Sequence, residues 1–310
     1  MANSPSGFLL AARGFPLLAA AIATAVIGSH LPSRAASIAT PNLVLHQTRS
    51  SPLDLEVAGD VAGLSPGSVG YLTRDDLLQL PQIRFTVRDD TNFSGPTQIS
   101  GVAVAELLRR LSAHPENDLA VAICDDLYQA NYPKSYLLAH QPVLALLING
   151  QEPRNWPKDA EGFGMDIGPY LISHAAFVPS YQVLGHPEKP QVPWGVVRLE
   201  FRDETAVLGT IQPRGSHAGD PEVQSGYRLA AQNCFRCHNL GKQGGEKAGR
   251  PWLVLSAWAS AAPDYFTAYV RNPKSKNARA EMPGNPDYDD ATMHALLAYF
   301  RTFIPSGENP

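Results

Sequence analysis

Three cysteines in 310 residues are too few for a disulfide framework, and only Cys234 and Cys237 stand close together, with Cys124 far upstream. Charge is scarce as well. Only 17% of residues are Asp, Glu, Lys or Arg and the formal net charge is -4, so nucleic acid is not an expected partner. Long apolar runs are missing after Leu31, and a bilayer span needs about 20 apolar residues, so no later segment is expected to cross a membrane. What the chain has in plenty is proline, at 27 residues, and glycine, at 25, which favours turns and short elements over long helices. Its 44% hydrophobic content suffices for one or two globular cores.

Arg13 precedes the apolar run from Phe15 to Gly28, and small residues follow at Ser33-Arg34-Ala35-Ala36. A positive start, an apolar centre of signal-peptide length and an A-x-A-like site predict a signal peptide over residues 1–36 and a periplasmic or exported mature chain. His30 and Pro32 interrupt the run before it reaches spanning length. An uncleaved segment would instead anchor the protein at the periplasmic face, the one route by which it would meet a membrane.

Cys234-Phe235-Arg236-Cys237-His238 has the form C-x-x-C-H, the attachment motif of a c-type haem. Two thiols separated by two residues reach the two vinyl groups of one porphyrin, and the adjacent histidine falls under the iron. The alternatives are a zinc half-site, which needs a second ligand pair at regular spacing, and a redox C-x-x-C, expected beside a βαβ pattern. Neither context is present. Export agrees with the motif, because c-type haem is joined to its protein on the outer side of the bacterial inner membrane.

Residues 42–208 read as an α+β domain dominated by sheet. Leu53 to Val57, Ile83 to Val87 and Trp194 to Phe201 alternate apolar and polar as half-buried strands do. Leu119 to Cys124 and Val143 to Ile148 are apolar runs of strand length, the second closed by the turn pair Asn149-Gly150. Thr73 to Leu78 opens a short helix with Thr73 or Asp75 as cap, and Val104 to Leu111 places Leu107, Leu108 and Leu111 on one helix face. Cys124 ends an apolar strand, where a free thiol behaves as a small hydrophobe. Asp125 and Asp126 read as solvated loop acids, and His46, His114, His140, His174, His186 and His217 show no ligand spacing. No catalytic residue is assigned to this half.

Leu55 to Gly59, the Leu-rich turn at Leu77 to Leu80, Ser100-Gly101-Val102, Cys124 to Tyr128, Gly168 to Ile172 and Trp194-Gly195-Val196-Val197 together resemble the molybdopterin-binding domain of the sulfite oxidase family. The resemblance covers most of residues 50–205. In that family a cysteine thiolate after the strand preceding the Gly-Val and helix segment ligates molybdenum, and the matching place here, Val87-Arg88-Asp89-Asp90-Thr91, has no cysteine. Arginine or a hard carboxylate does not stand in for a soft thiolate. Molybdopterin is therefore not expected, and the domain is read as a docking or scaffold unit.

Gly209 to Gly219 reads as a linker, and residues 220–305 as an all-α domain. Asp220-Pro221 supplies an N-cap with proline at the first helical position, and Val223, Tyr227 and Ala230 lie on one face of a helix that runs into Cys234. Gly241 to Gly249 reads as flexible, Asp264 to Val270 as a short helix, and a last helix capped by Asp289 carries the stripe Leu296, Leu297, Phe300 and Phe303. These segments resemble a class I cytochrome c domain: Gly226-Tyr227 matches the small and aromatic pair of the first helix, Pro251 the proline near the proximal histidine, Met282-Pro283 the distal ligand loop and Tyr299 the aromatic of the last helix.

Met282, Met293 and His294 are the candidates for the second axial ligand. Met293 is the fourth residue of a helix capped by Asp289, placed to pack on Tyr288 as a hydrophobic staple, whereas Met282 sits on a loop before proline. The expected set is covalent haem c on Cys234 and Cys237, with His238 proximal and Met282 distal. Such ligation suits outer-sphere transfer of one electron at a time with a redox partner protein. Lys242, Lys247, Arg250, Arg271, Lys274 and Lys276 make this half locally basic, with Glu246 offsetting part of the first cluster; an ordinary solvated surface is the favoured reading, and a rim that steers an acidic partner the alternative. The alternative reading is a sulfite dehydrogenase-like molybdopterin oxidoreductase that passes electrons to its own haem, since a two-electron centre needs a one-electron outlet. A haem sensor or peroxidase needs an open distal site, which Met282 would close.

Overall fold

Short apolar runs punctuated by glycine and proline give short strands, and the computed structural model places eleven of them before residue 203. Residues 43–158 and 164–304 are described; the signal peptide expected over residues 1–36 lies outside them. The strands are β1 (Leu55–Gly59), β2 (Gly70–Leu72), β3 (Ile83–Val87), β4 (Thr97–Ala103), β5 (Leu119–Cys124), β6 (Gln129–Pro133), β7 (Val143–Ile148), β8 (Tyr170–Ser173), β9 (Gln182–Val183), β10 (His186–Pro187) and β11 (Trp194–Arg202). Four helices accompany them: α1 (Arg74–Leu78), α2 (Val104–Leu111), α3 (Lys134–His140) and α4 (Glu204–Leu208).

Nine of the strands form one sheet in the order β2-β1-β11-β8-β7-β4-β3, with β5 and then β6 attached through β11. β11 pairs with β5 along one edge and with β8 and then β1 along the other. A register shift between Val196 and Arg198 interrupts simple alternation and lets Val196 share one buried core with Leu199 and Phe201, while Arg198 and Arg202 pair with Glu200. The short helix α1 is capped by Thr73, not Asp75: Thr73 Oγ1 accepts from the Asp76 amide while the Asp76 carboxylate accepts from the Thr73 amide. Leu107, Leu108 and Leu111 on α2 are all buried, as their spacing predicts.

Val87 to Thr91, where the sequence has no cysteine, is tied down by a buried carboxylate. Asp90 is buried there, its carboxylate accepting from Ser173 Oγ at 2.6 Å and from the Asn92 amide at 2.9 Å. This side chain ties the β3–β4 connection to β8, and burial raises its pKa above the ordinary carboxylate range.

The second half is helical: α5 (Pro221–Asn233), α6 (Trp252–Ala261), α7 (Pro263–Arg271), α8 (Pro273–Lys276) and α9 (Asp290–Arg301), with a small hairpin of β12 (Asn239–Leu240) and β13 (Gln243–Gly244). Pro221 opens α5 as expected, but the Asp220 carboxylate bonds His217 Nδ1 at 2.9 Å instead of capping the helix with its side chain. α5 and α9 cross at Gly226, where an added Cβ would lie 2.0 Å from the Ala295 carbonyl oxygen. Only glycine allows that approach. The expected linker begins as a 3-10 turn, Gly209–Ile211, with Ile211 buried and its carbonyl accepting from Tyr299 Oη at 2.5 Å.

β5 joins the halves. Ala120, Ala122 and Cys124 face the core beneath α1, α2 and α3, whereas Leu119 and Val121 belong to the core of the helical half. Period-two alternation thus serves two different cores with one strand.

Candidate functional site

α5 ends at Asn233, and the motif leaves it as a tight turn in which the amides of Cys237 and His238 both bond the Cys234 carbonyl. Phe235 points inward, fully buried, with its ring 5.5 Å from Trp252 in an edge-to-face contact. That anchor turns Cys234, Cys237 and His238 the other way, onto the wall of a cavity of about 510 Å³. Its apolar lining includes Leu255, Phe266, Val270 and Phe300.

His238 Nδ1 lies 2.6 Å from the carbonyl oxygen of Arg250, which can only accept, so Nδ1 carries the proton and Nε2 keeps its lone pair. Burial lowers the imidazole pKa, the bond to Arg250 opposing it, and this favours the neutral ring that a metal ligand needs. Burial also raises both thiols, Cys234 to about 12, with Arg236 opposing at each. Both are therefore held in the thiol form.

Met282 lines the same cavity and is packed against the helical core. The segment that follows it is tied to the end of α7: the Asn285 amide bonds the Val270 carbonyl at 3.1 Å, and Arg271 Nε donates to the Tyr288 carbonyl at 2.7 Å. The two rivals are placed elsewhere. Met293 is 1% exposed in the helical core, which also holds the buried Tyr288, and His294 faces solvent on α9; neither lines the cavity. The cavity thus brings together two thiols, a neutral imidazole and a thioether on apolar walls, a donor set that fits a covalently attached haem.

Within the stretch read as flexible, Gly244 and Gly245 are tightly packed, while most of their neighbours are exposed. A Cβ on Gly245 would stand 1.8 Å from the Arg236 carbonyl oxygen, and the Gly245 amide donates to the Phe235 carbonyl at 2.9 Å. The sheet half also closes on the motif through the β5–β6 turn. The Gln129 amide donates to the Arg236 carbonyl, the Glu246 amide to the Leu127 carbonyl, and Arg236 Nη1 to Tyr128 Oη at 3.1 Å, while Lys247 pairs with Asp126. Asp126, expected to be a solvated acid, is partly exposed and paired across the junction.

Residues 221–300 match the family described as cytochrome C oxidase, cbb3-type, subunit III. The C-terminal part carries a cytochrome c-type domain. Such a domain implies covalently bound haem c and supports haem-based electron transfer. Among solved structures, the chain is similar to the sulfane dehydrogenase SoxCD from Paracoccus pantotrophus, at 18% identity and a TM-score of 0.32, over 51% of this chain and 40% of that one. No curated protein matches. The sulfite-oxidase-like resemblance of residues 42–208 rests on the sequence pattern and on a sheet-rich region with the expected strands. Among the described residues no helix is long and apolar enough to cross a membrane.

Two groupings had no signature in the sequence. Tyr128 and Arg236 meet across 108 residues. His140 and His174, which share no spacing, meet in one buried cluster: His140 Nε2 is 2.9 Å from Glu188 Oε2, and His174 Nε2 is 3.0 Å from Tyr136 Oη. Ser180 donates to the same Glu188 oxygen through both its amide and its hydroxyl, so the carboxylate is internally paired, whereas His174 Nδ1 is buried without a hydrogen-bond partner.

Proposed function

We propose that this protein is an exported single-haem c-type cytochrome that moves one electron at a time between redox partner proteins, with His238 and Met282 as axial ligands and the sheet-rich half as a docking or scaffold unit. The observation that carries the reading is the convergence of Cys234, Cys237, His238 and Met282 on one cavity of about 510 Å³. Haem c, when bound, supplies one-electron exchange at its iron.

The chain's own residues do the rest. Arg250, through its carbonyl, fixes the His238 ring and directs Nε2 into the cavity. Cys234 and Cys237 supply the thioether bonds, and the apolar lining excludes water. His238 and Met282 would hold the iron between them, which would leave the group suited to outer-sphere exchange and closed to small exogenous ligands.

The purified protein tests this directly. Mass spectrometry is expected to show one haem per chain retained after denaturation, and metal analysis iron without molybdenum. One molybdenum per haem would instead favour a molybdopterin oxidoreductase, and loss of haem on denaturation would remove the covalent attachment on which the reading stands.

A further inference from the structure

Arg236, one residue from Cys237 and two from His238, lines the cavity and has its charge enclosed by the sheet half. Nη1 donates to Tyr128 Oη, while Nε and Nη2 are buried without a hydrogen-bond partner. No carboxylate forms an ion pair with its nitrogens among the described residues. An arginine between the two cysteines of an isolated motif would turn its guanidinium to water. Here the β5–β6 turn covers it, with the Gln129 amide on its carbonyl and Gly245 packed against its backbone.

We propose that the sheet half acts as a cap that sets the reduction potential: by desolvating Arg236 beside the haem it keeps a fixed, uncompensated positive charge there, which disfavours the ferric state and raises the midpoint potential. The inference rests on the haem reading above. The oxidised site carries one more positive charge than the reduced one, so a nearby cation opposes oxidation. Screened by water the opposition would be slight, but a buried charge acts through a much lower effective dielectric. Tyr128 is a positioning residue, holding the guanidinium through a neutral hydroxyl that leaves its charge intact.

The test is the midpoint potential of the holoprotein, measured by spectroelectrochemistry at low and high ionic strength. Arg236→Gln is expected to lower the one-electron equilibrium constant for reduction about tenfold, equal to about 59 mV for one electron. The loss is expected to persist in salt, since buried charges are little screened. Arg236→Lys, which keeps the charge, and Tyr128→Phe, which keeps Arg236, are each expected to stay within threefold of wild type. Arg236→Leu serves if the Gln variant fails to mature, because an apolar replacement introduces no new polar group at this position. Neutral variants at the wild-type potential would overturn the proposal, as would a Lys variant that falls as far as they do, or a difference that vanishes in salt. Wild-type protein without covalent haem would overturn the underlying function instead, so the two failures are distinguishable.

Discussion

Gly226 and Ala295 are in backbone contact: a Cβ on Gly226 would stand 2.0 Å from the Ala295 carbonyl oxygen and 2.7 Å from Tyr299 Cβ. Two opposing effects decide what Gly226→Ala does. Helix propensity favours alanine over glycine by about 1 kcal/mol, whereas overpacking a close contact typically costs about 1–3 kcal/mol, occasionally more. The contact here involves backbone, which yields little, so net destabilisation of about 1–2 kcal/mol is expected. Urea denaturation of the holoprotein checks the sign, and a variant as stable as wild type would show that the helices do not meet this closely.

Met282, Met293 and His294 separate in one experiment. Met282→Ala is expected to retain covalent haem but to lose the methionine-to-iron charge-transfer band when oxidised and to bind carbon monoxide when reduced. Met293→Leu is expected to keep the band, at a stability cost below about 1.5 kcal/mol for a volume-conserving core change. His294→Ala, on an exposed helix face, is expected to change neither property.

His174 should contribute to acid sensitivity. Burial, with a smaller contribution from His140, lowers its pKa from 6.5 to about 3. Between those values the unfolded chain binds a proton that the folded chain does not, so its contribution is complete above pH 6.5 and is lost as pH falls toward 3. The loss is at most about 1.4 kcal/mol per pH unit. Denaturation of wild type and His174→Gln at pH 7 and pH 5 is expected to show a fall smaller by about 1–2 kcal/mol in the variant. Equal falls would rule the contribution out.

The basic segment before Met282 can be probed with small redox reagents. Lys247 is paired with Asp126 and Arg271 with Asp290, whereas Lys274, Lys276 and Arg279 are exposed and Arg279 lines the cavity. Oxidation of the reduced protein by an anionic metal complex is expected to slow as salt is added. It is also expected to slow about two- to fivefold in Lys274→Glu/Lys276→Glu at low ionic strength. Rates indifferent to both would mean that this segment does not steer.

Local signals were legible where neighbouring residues complete the structure. Asn149 and Gly150 both take positive φ after β7, Asp289 accepts from the Thr292 amide as the N-cap of α9, and Leu119–Cys124 is a strand over those same residues. Where the deciding partner is remote, the pattern was misleading. Gly241 to Gly249 has a flexible composition, yet Gly245 is there because Arg236 packs against it. Asp126 has the composition of a loop acid, yet Lys247 lies across the junction to pair with it.

The sequence by itself determined the attachment motif, the short elements and a distal loop with methionine, because each depends on covalent order and local periodicity. Only the tertiary structure set the three candidates apart in space, placing Met282 on the cavity wall, burying Met293 in the core and exposing His294 on α9. It alone also enclosed Arg236 beneath Tyr128. Cavity walls and buried charges are made by residues far apart in the chain, so their chemistry exists only once packing has brought them together and removed the water between them.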